Sequence, residues 1–474
     1  MIKFVFYILA LYWVNPLILI DRNGYSGTLQ NEDACFLNPE RVRFGTLEVP
    51  ENHNNPGGKT IDISWAIIRA ENPTAGKHPL IFLTGGPGGE TLPVIPFFKD
   101  LPLAGNRDLI LFDQRGIGQS SSLPDFGEKL LDILAADLSP EKEEEEFSKL
   151  ITSYRDIAQG EGINLHHYNT FQNARDVGML MRHLGYEKYH ILGGSYGSRL
   201  ARVIIDTFPG YIESAVLDSP NPFDNDFITP RIRSYEQALR LIIKNCQFDD
   251  QCSSEYPNLE KEYLDGISSL YDSPLKIELD DYNFYVNPQD AIYMIRYQLY
   301  RGDALEGTPA LIRALFVRNK DNVRRNLEMV MPMITDGNYS MFLSVERYEH
   351  YDSSITRERL FELYHDMELF PAPLGLFTSL YIVAGLWHNE SVESAKKTFK
   401  KSDVPTLIFV NKYDPVTPPE NGYIMLENLR AGHLFILDEG GHGEGNLECK
   451  IEVIGNFFDN SDGRPEAGCL NVID

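Results

Sequence analysis

Two rhythms of hydrophobic and polar positions alternate along the chain. Residues 41–49 and 60–70 are strand-like, the second through the β-branched Ile61, Ile63, Ile67 and Ile68. Residues 78–84 and 107–113 are short apolar runs that end in Gly-rich or polar turns, the pattern of parallel strands buried on both faces. Residues 168–185 then switch to a helical period. Phe171, Ala174, Val177, Met181 and Leu184 share one face there, and Gly185 is a natural stop. A buried strand is predicted at 189–192, a helix at 198–207 ended by Phe208-Pro209-Gly210, and a strand at 213–218. Two more strands, 405–410 and 434–437, flank a helical pattern near 420–429. Strands alternating with helices predict an α/β fold, a mostly parallel sheet flanked by helices.

Residues 221–403 break this alternation. They are helix-rich and crowded with aromatics, among them Tyr293, Tyr297, Tyr300, Phe342, Tyr348, Tyr351, Phe361 and Tyr364. Lying between two sheet strands, they are expected to form an inserted cap, with most of the aromatics packing helix against helix. The N-terminus has the pattern of a processing signal. Lys3 precedes an apolar run at 4–14, Asn15-Pro16 interrupts it before 17–20, and Gly24-Tyr25-Ser26 is a small-x-small site. The run also nears the length of a membrane helix. The predicted organisation is therefore a signal peptide or N-terminal anchor at 1–26, a first core segment at 27–220, a helical cap at 221–403 and a second core segment at 404–474. Either form of the N-terminus implies export, to the periplasm or the extracellular space, the anchor form adding a membrane as partner.

Composition narrows the classes. Of the 474 residues 43% are apolar and 24% charged, which excludes a disordered, collagen-like or polytopic membrane chain. The net charge of −26 repels phosphates, so nucleic acid is excluded as a partner. Five cysteines without a CxxC rule out a zinc ribbon or thioredoxin site. In an exported chain Cys246 and Cys252 can close a short loop, Cys449 and Cys469 can tie down the C-terminus, and Cys35 is left odd. The acidic run at 143–146 is expected to be a solvated helix face. Residues 56–60 end like a phosphate loop, but the first glycine of that motif would fall at His53 and a strand follows instead of a helix. His166-His167 lacks metal spacing, and no metal or cofactor is expected.

The chemistry concentrates at Gly193-Gly194-Ser195-Tyr196-Gly197, which follows a buried strand and opens a helix. That is the context of a nucleophile elbow, with Ser195 exposed above the C-terminal edge of the sheet. Serine needs a base, and the base an orienting carboxylate. Asp414 comes just after the strand at 405–410, and His442 lies on a Gly-rich loop after the strand at 434–437. The order Ser, acid, His, each after a strand, gives Ser195, Asp414 and His442 as the catalytic residues. Thr84-Gly85-Gly86-Pro87-Gly88-Gly89 follows the strand at 78–83, and glycines let backbone N–H groups face a developing oxyanion. Gly86 and Tyr196 are the expected oxyanion donors.

These motifs together resemble the α/β-hydrolase serine exopeptidases related to prolyl aminopeptidase and tripeptidyl aminopeptidase. The resemblance covers nearly all of the chain after residue 26. It rests on Gly85–Gly89, on Asp113-Gln114-Arg115-Gly116-Ile117-Gly118-Gln119-Ser120, on Gly193–Ser198, on Asp414-Pro415-Val416-Thr417-Pro418-Pro419 and on Gly441-His442-Gly443. Cys449 and Cys469 match the tripeptidyl type at its C-terminal region. The resemblance implies an α/β-hydrolase fold with a large helical cap insertion, and cleavage near a free peptide N-terminus. Two positions depart from it. Thr84 stands where prolyl-type members have His, and Arg347 stands where tripeptidyl-type members carry Cys in V-x-C-x-E. Glu349, the last residue of that stretch, is expected to face the substrate amine. The sequence thus points to a serine hydrolase acting on peptides through an acyl-enzyme. An esterase or lactonase would use the same triad, and a non-catalytic binding protein would keep only the scaffold.

Overall fold

The apolar runs form the centre of a nine-stranded sheet in a computed structural model that describes residues 41–73, 77–224, 226–393 and 397–473. The strands are β1 (Val42–Pro50), β2 (Thr60–Ile68), β3 (Leu80–Leu83), β4 (Leu109–Phe112), β5 (Tyr189–Gly194) and β6 (Ile212–Asp218). A separate hairpin of β7 (Leu275–Glu278) and β8 (Asn283–Val286) follows. The main sheet is completed by β9 (Thr406–Asn411), β10 (Gly432–Leu437) and β11 (Val472–Ile473). The order is β1-β2-β4-β3-β5-β6-β9-β10-β11. From β4 to β10 every neighbouring pair is parallel; β1, β2 and β11 join antiparallel at the two edges.

Both faces of the parallel strands are covered, which explains their unbroken hydrophobicity. Alternate residues enter opposite cores: Ile81, Leu83, Ile408 and Val410 on one face, Leu80, Phe82, Leu407 and Phe409 on the other. The helix Thr170–His183 starts at Asn169, whose side chain accepts from the N–H groups of Phe171 and Gln172. It buries Ala174, Val177, Leu180 and Met181.

Between β6 and β9 the chain leaves the sheet. It runs through helices that include Thr229–Phe248, Pro288–Gln298 and Tyr339–His350, with the β7–β8 hairpin among them. The buried residues of this insertion join the core on one sheet face into a single cluster. The hairpin was not expected from the sequence. Its strands are four residues each and alternate only briefly, Leu275 and Ile277 inward, Lys276 and Glu278 outward. Two disulfides, Cys246–Cys252 and Cys449–Cys469, are formed. The predicted signal or anchor and Cys35 lie outside the described residues. Among the described residues no helix is long and apolar enough to cross a membrane.

Candidate active site

Parallel strands deliver their following loops to one edge of the sheet, where open α/β sheets bind ligands. Ser195 follows β5, Asp414 follows β9, His442 follows β10 and the loop 84–89 follows β3. Ser195 has φ 51° and ψ −122°, the left-handed φ that a non-glycine residue seldom adopts. Its neighbours make the turn possible. A Cβ on Gly197 would lie 2.0 Å from the Leu83 carbonyl oxygen, and one on Gly193 would lie 2.5 Å from the Gly197 carbonyl oxygen. Strand and helix therefore approach to a distance that only glycine permits. The Ser195 N–H donates to the Asp218 carbonyl at 2.8 Å, and the Ser198 hydroxyl donates to the Ser195 carbonyl.

Asp414 and His442 are both buried. His442 Nδ1 lies 2.7 Å from Asp414 Oδ2. The other carboxylate oxygen accepts from the N–H groups of Val416 and Thr417, each at 2.8 Å, and the Thr417 hydroxyl donates to Oδ2 at 2.6 Å. Burial pushes the Asp414 carboxyl up. The histidine and these hydrogen bonds outweigh it and hold the group below its ordinary value. Thr417, which also stands 3.0 Å from His442 Nδ1, was not singled out from the sequence, although it sits inside the quoted Asp-Pro-Val-Thr stretch.

Ser195, His442 and Gly86 line one cavity of about 50 Å³. Gly86 has φ 115°, a glycine conformation. Tyr196 is not on the cavity wall. Its ring is buried, with its hydroxyl 3.0 Å from the Thr170 hydroxyl and accepting from the Asn173 amide at 3.4 Å. Its N–H begins the helix Tyr196–Thr207, where backbone donors have no intrahelical acceptor. Glu90, directly after the glycine loop, has its carboxyl pushed up to about 7 by lost solvation, with Asp113, Asp336 and Asp125 adding negative charge.

The insertion forms the opposite wall. Tyr293, Tyr297, Tyr300 and Phe342, four of the aromatics expected to pack helices, line the cavity together with Arg231, Arg296 and Phe377. His442 N–H donates to the Tyr300 carbonyl at 3.0 Å, and a Cβ on Gly441 would sit 2.1 Å from the Leu299 carbonyl oxygen. On the other side the Asn338 N–H donates to the Gly88 carbonyl at 3.1 Å.

Glu349 is elsewhere, and the expectation that it faces a substrate amine is corrected. Its side chain is fully buried and does not line the cavity. The carboxylate accepts from Thr170 N–H at 2.8 Å, the Thr170 hydroxyl at 2.9 Å and Arg199 Nη1 at 2.9 Å. These bonds use its lone pairs to tie the insertion to two core helices. Burial still pushes its carboxyl above the ordinary value, against the pull of Arg199 and Thr170. Arg347, where the resemblance calls for Cys, donates to the Glu390 carbonyl and stacks on Tyr351. Arg231 and Arg296 were missed, because nothing in a helical sequence separates an inward arginine from a solvated one.

Residues 78–240 match the family model of the alpha/beta hydrolase fold, and residues 381–467 match that of TAP-like proteins. A tripeptidyl aminopeptidase of Streptomyces coelicolor is 30% identical over 194 residues, 38% of this chain and 35% of that protein. The tripeptidyl aminopeptidase of Streptomyces lividans is 30% identical over the same length. The aligned stretch thus spans about a third of these curated relatives' length. A putative hydrolase of Escherichia coli K12 is 24% identical over 430 residues, 84% of this chain and 81% of that one. Among solved structures, a proline iminopeptidase of Mycobacterium smegmatis aligns over 88% of this chain and 99% of its own, at 15% identity and a TM-score of 0.39. The chain has the α/β-hydrolase fold, and its segment 381–467 is similar to TAP-like proteins.

Proposed function

We propose that this α/β-hydrolase is an exported serine peptidase that cleaves near free peptide N-termini through an acyl-enzyme. One observation carries the reading. Ser195, held at a positive φ after β5, shares a cavity with His442, whose Nδ1 lies 2.7 Å from the buried Asp414 carboxylate. With Nδ1–H donated to Asp414, Nε2 keeps its lone pair and serves as the base. The Ser195 hydroxyl oxygen attacks the scissile carbonyl as Nε2 takes its proton. The N–H groups of Gly86 and Tyr196 receive the developing oxyanion. The C–N bond then breaks, the imidazolium gives its proton to the leaving amine, and Ser195 holds the acyl group as an ester. Water, deprotonated by the same nitrogen, hydrolyses that ester and restores the serine. Asp414 stabilises the imidazolium at both steps. None of these steps uses a cofactor.

The tripeptidyl aminopeptidase relatives support the peptide substrate, and the TAP-like match supports it on the segment that carries Asp414 and His442. The two disulfides are compatible with an oxidising compartment. A second reading, an esterase or lactonase with the same triad, is favoured by one feature. Among the described residues that line the cavity there is no carboxylate to receive an ammonium group.

A panel of N-terminally free and acetylated fluorogenic peptides beside simple acyl esters decides between the two. On the aminopeptidase reading, acetylation lowers kcat/KM by about tenfold or more, because it removes the ammonium group by which a free N-terminus is told from a blocked one. Equal cleavage of free and blocked peptides defeats the aminopeptidase reading in favour of an endo-acting peptidase or an esterase. A serine-directed organophosphonate is expected to label Ser195 and no other serine.

A further inference from the structure

We propose that Arg296 and Arg231 form a carboxylate-binding site in the Ser195 cavity, selecting substrates that carry an anionic group close to the scissile carbonyl. The inference rests on the hydrolase reading above for what the site serves, but its physical basis is independent of it.

Both arginines line the cavity with Ser195 and His442. Arg296, on the helix Pro288–Gln298, is only 2% exposed. One of its nitrogens, Nη1, donates to the Tyr300 hydroxyl at 3.2 Å. Nε and Nη2 are buried and have no acceptor, and among the described residues no carboxylate pairs with this guanidinium. Arg231, on the helix Thr229–Phe248, donates to the Phe227 carbonyl. Its nearest carboxylate is Glu346, whose Oε1 is 3.7 Å from Nη2. That carboxylate also serves His350 at 2.7 Å and Arg199 at 3.7 Å. Arg199 has its own partner in Glu349. The buried cluster thus contains three guanidiniums, those of Arg199, Arg231 and Arg296, against two carboxylates, Glu346 and Glu349.

Aromatic faces hold the excess charge without satisfying it. Phe377 lies 4.9 Å from the Arg296 guanidinium and 5.3 Å from that of Arg231, and Tyr300 lies 5.2 Å from Arg296. A ring face attracts a cation but accepts no in-plane N–H bond. A buried guanidinium with two idle nitrogens is costly unless an acceptor arrives, and a carboxylate matches its fork with two parallel bonds. The cavity is shared with Ser195, so that acceptor is the substrate's own. In a peptide it is either an acidic side chain beside the scissile bond or the chain's terminal carboxylate.

Binding is read first without turnover, by calorimetry of the wild-type protein with glutarate and with its neutral match glutaramide. Glutarate is expected to bind at least about tenfold more tightly, as an anion paired with a buried guanidinium should. Arg296→Gln and Arg231→Gln, checked for folding by circular dichroism, should each shrink the difference. Equal binding of the acid and the amide by the wild type overturns the proposal, however the variants behave. The second measurement compares kcat/KM for free-N-terminal peptides with Glu or Gln on either side of the scissile bond, and with a C-terminal acid or amide. A preference that follows the side chain, or one that follows the terminus, supports the site and identifies the source of the carboxylate. A glutarate preference in a protein that turns over activated esters but no peptide keeps the anion site and removes the peptidase reading.

Discussion

The strain at Ser195 is local and is held by named contacts. A serine at φ 51° sits in a region that costs on the order of 1–3 kcal/mol. The hydrogen bond to the Asp218 carbonyl and the contacts at Gly193 and Gly197 leave the turn no other course. The acid of the proposed triad is equally fixed. Asp414 receives four hydrogen bonds, from Val416 N–H, Thr417 N–H, the Thr417 hydroxyl and His442. Ser195→Ala and Asp414→Asn are each expected to lower kcat by several orders of magnitude with the fold intact by circular dichroism. Near-normal turnover by Ser195→Ala would defeat the mechanism. Thr417→Val tests the support beneath the triad. It removes one bond to the charged carboxylate and should lower kcat by about tenfold, since hydrogen bonds to charged groups carry roughly 1.5–3 kcal/mol. Thr417→Ser, which restores the hydroxyl, should recover most of that loss; a defect in Thr417→Ser with Thr417→Val near wild type would show that the methyl group matters instead.

At the scale of elements, the sheet and the loops that follow its strands were legible because their signals are local. An apolar run, a glycine pair and a reactive side chain just past the run need no partner to be recognised. The elements of the insertion take their meaning from distant residues. Glu349 lies 179 positions from Thr170 and 150 from Arg199, so its helix gave no sign that the carboxylate braces the core instead of facing substrate. The same holds for Arg231 and Arg296, whose surroundings come from other helices of the insertion. The brace is itself testable. Glu349→Gln keeps the volume but leaves the Arg199 guanidinium without its closest counter-charge, Glu346 being 3.7 Å away and shared. Stability is expected to fall by about 3 kcal/mol, the scale of breaking a buried pair by removing one partner. Denaturant unfolding measures it. The ratio of kcat/KM for free and acetylated peptides should stay at the wild-type value; a selective loss of that ratio would return Glu349 to the substrate.

Across the whole molecule the two disulfides do unequal jobs. Cys246–Cys252 closes a short loop, with a sequence separation of 6, where the helices Thr229–Phe248 and Asp250–Glu255 meet. Cys449–Cys469 has a separation of 20 and joins the start of the helix Leu447–Asp459 to the segment entering β11. β11 pairs with β10, the strand that leads into the His442 loop. In the same helix Lys450 donates to the carbonyls of Gly443 and Glu444 and to the Asp218 carboxylate. This disulfide therefore holds the rear support of the histidine loop. Chain entropy gives about 3 kcal/mol for the longer loop and about 2 kcal/mol for the shorter. Replacing Cys449 and Cys469 together by serine is expected to lower Tm more than replacing Cys246 and Cys252, and to lower kcat as well. The Cys246/Cys252 replacement should cost less kcat, because its link to the site is indirect, through the Asn245 amide donating to the Tyr413 hydroxyl at 2.7 Å. Thermal melts and kcat for the two double variants check both halves. Peptide mapping without reduction should find both bonds. Free thiols at all four positions would argue for a reducing compartment, and a larger loss of kcat from the Cys246/Cys252 variant would show that the C-terminal staple does not support the site.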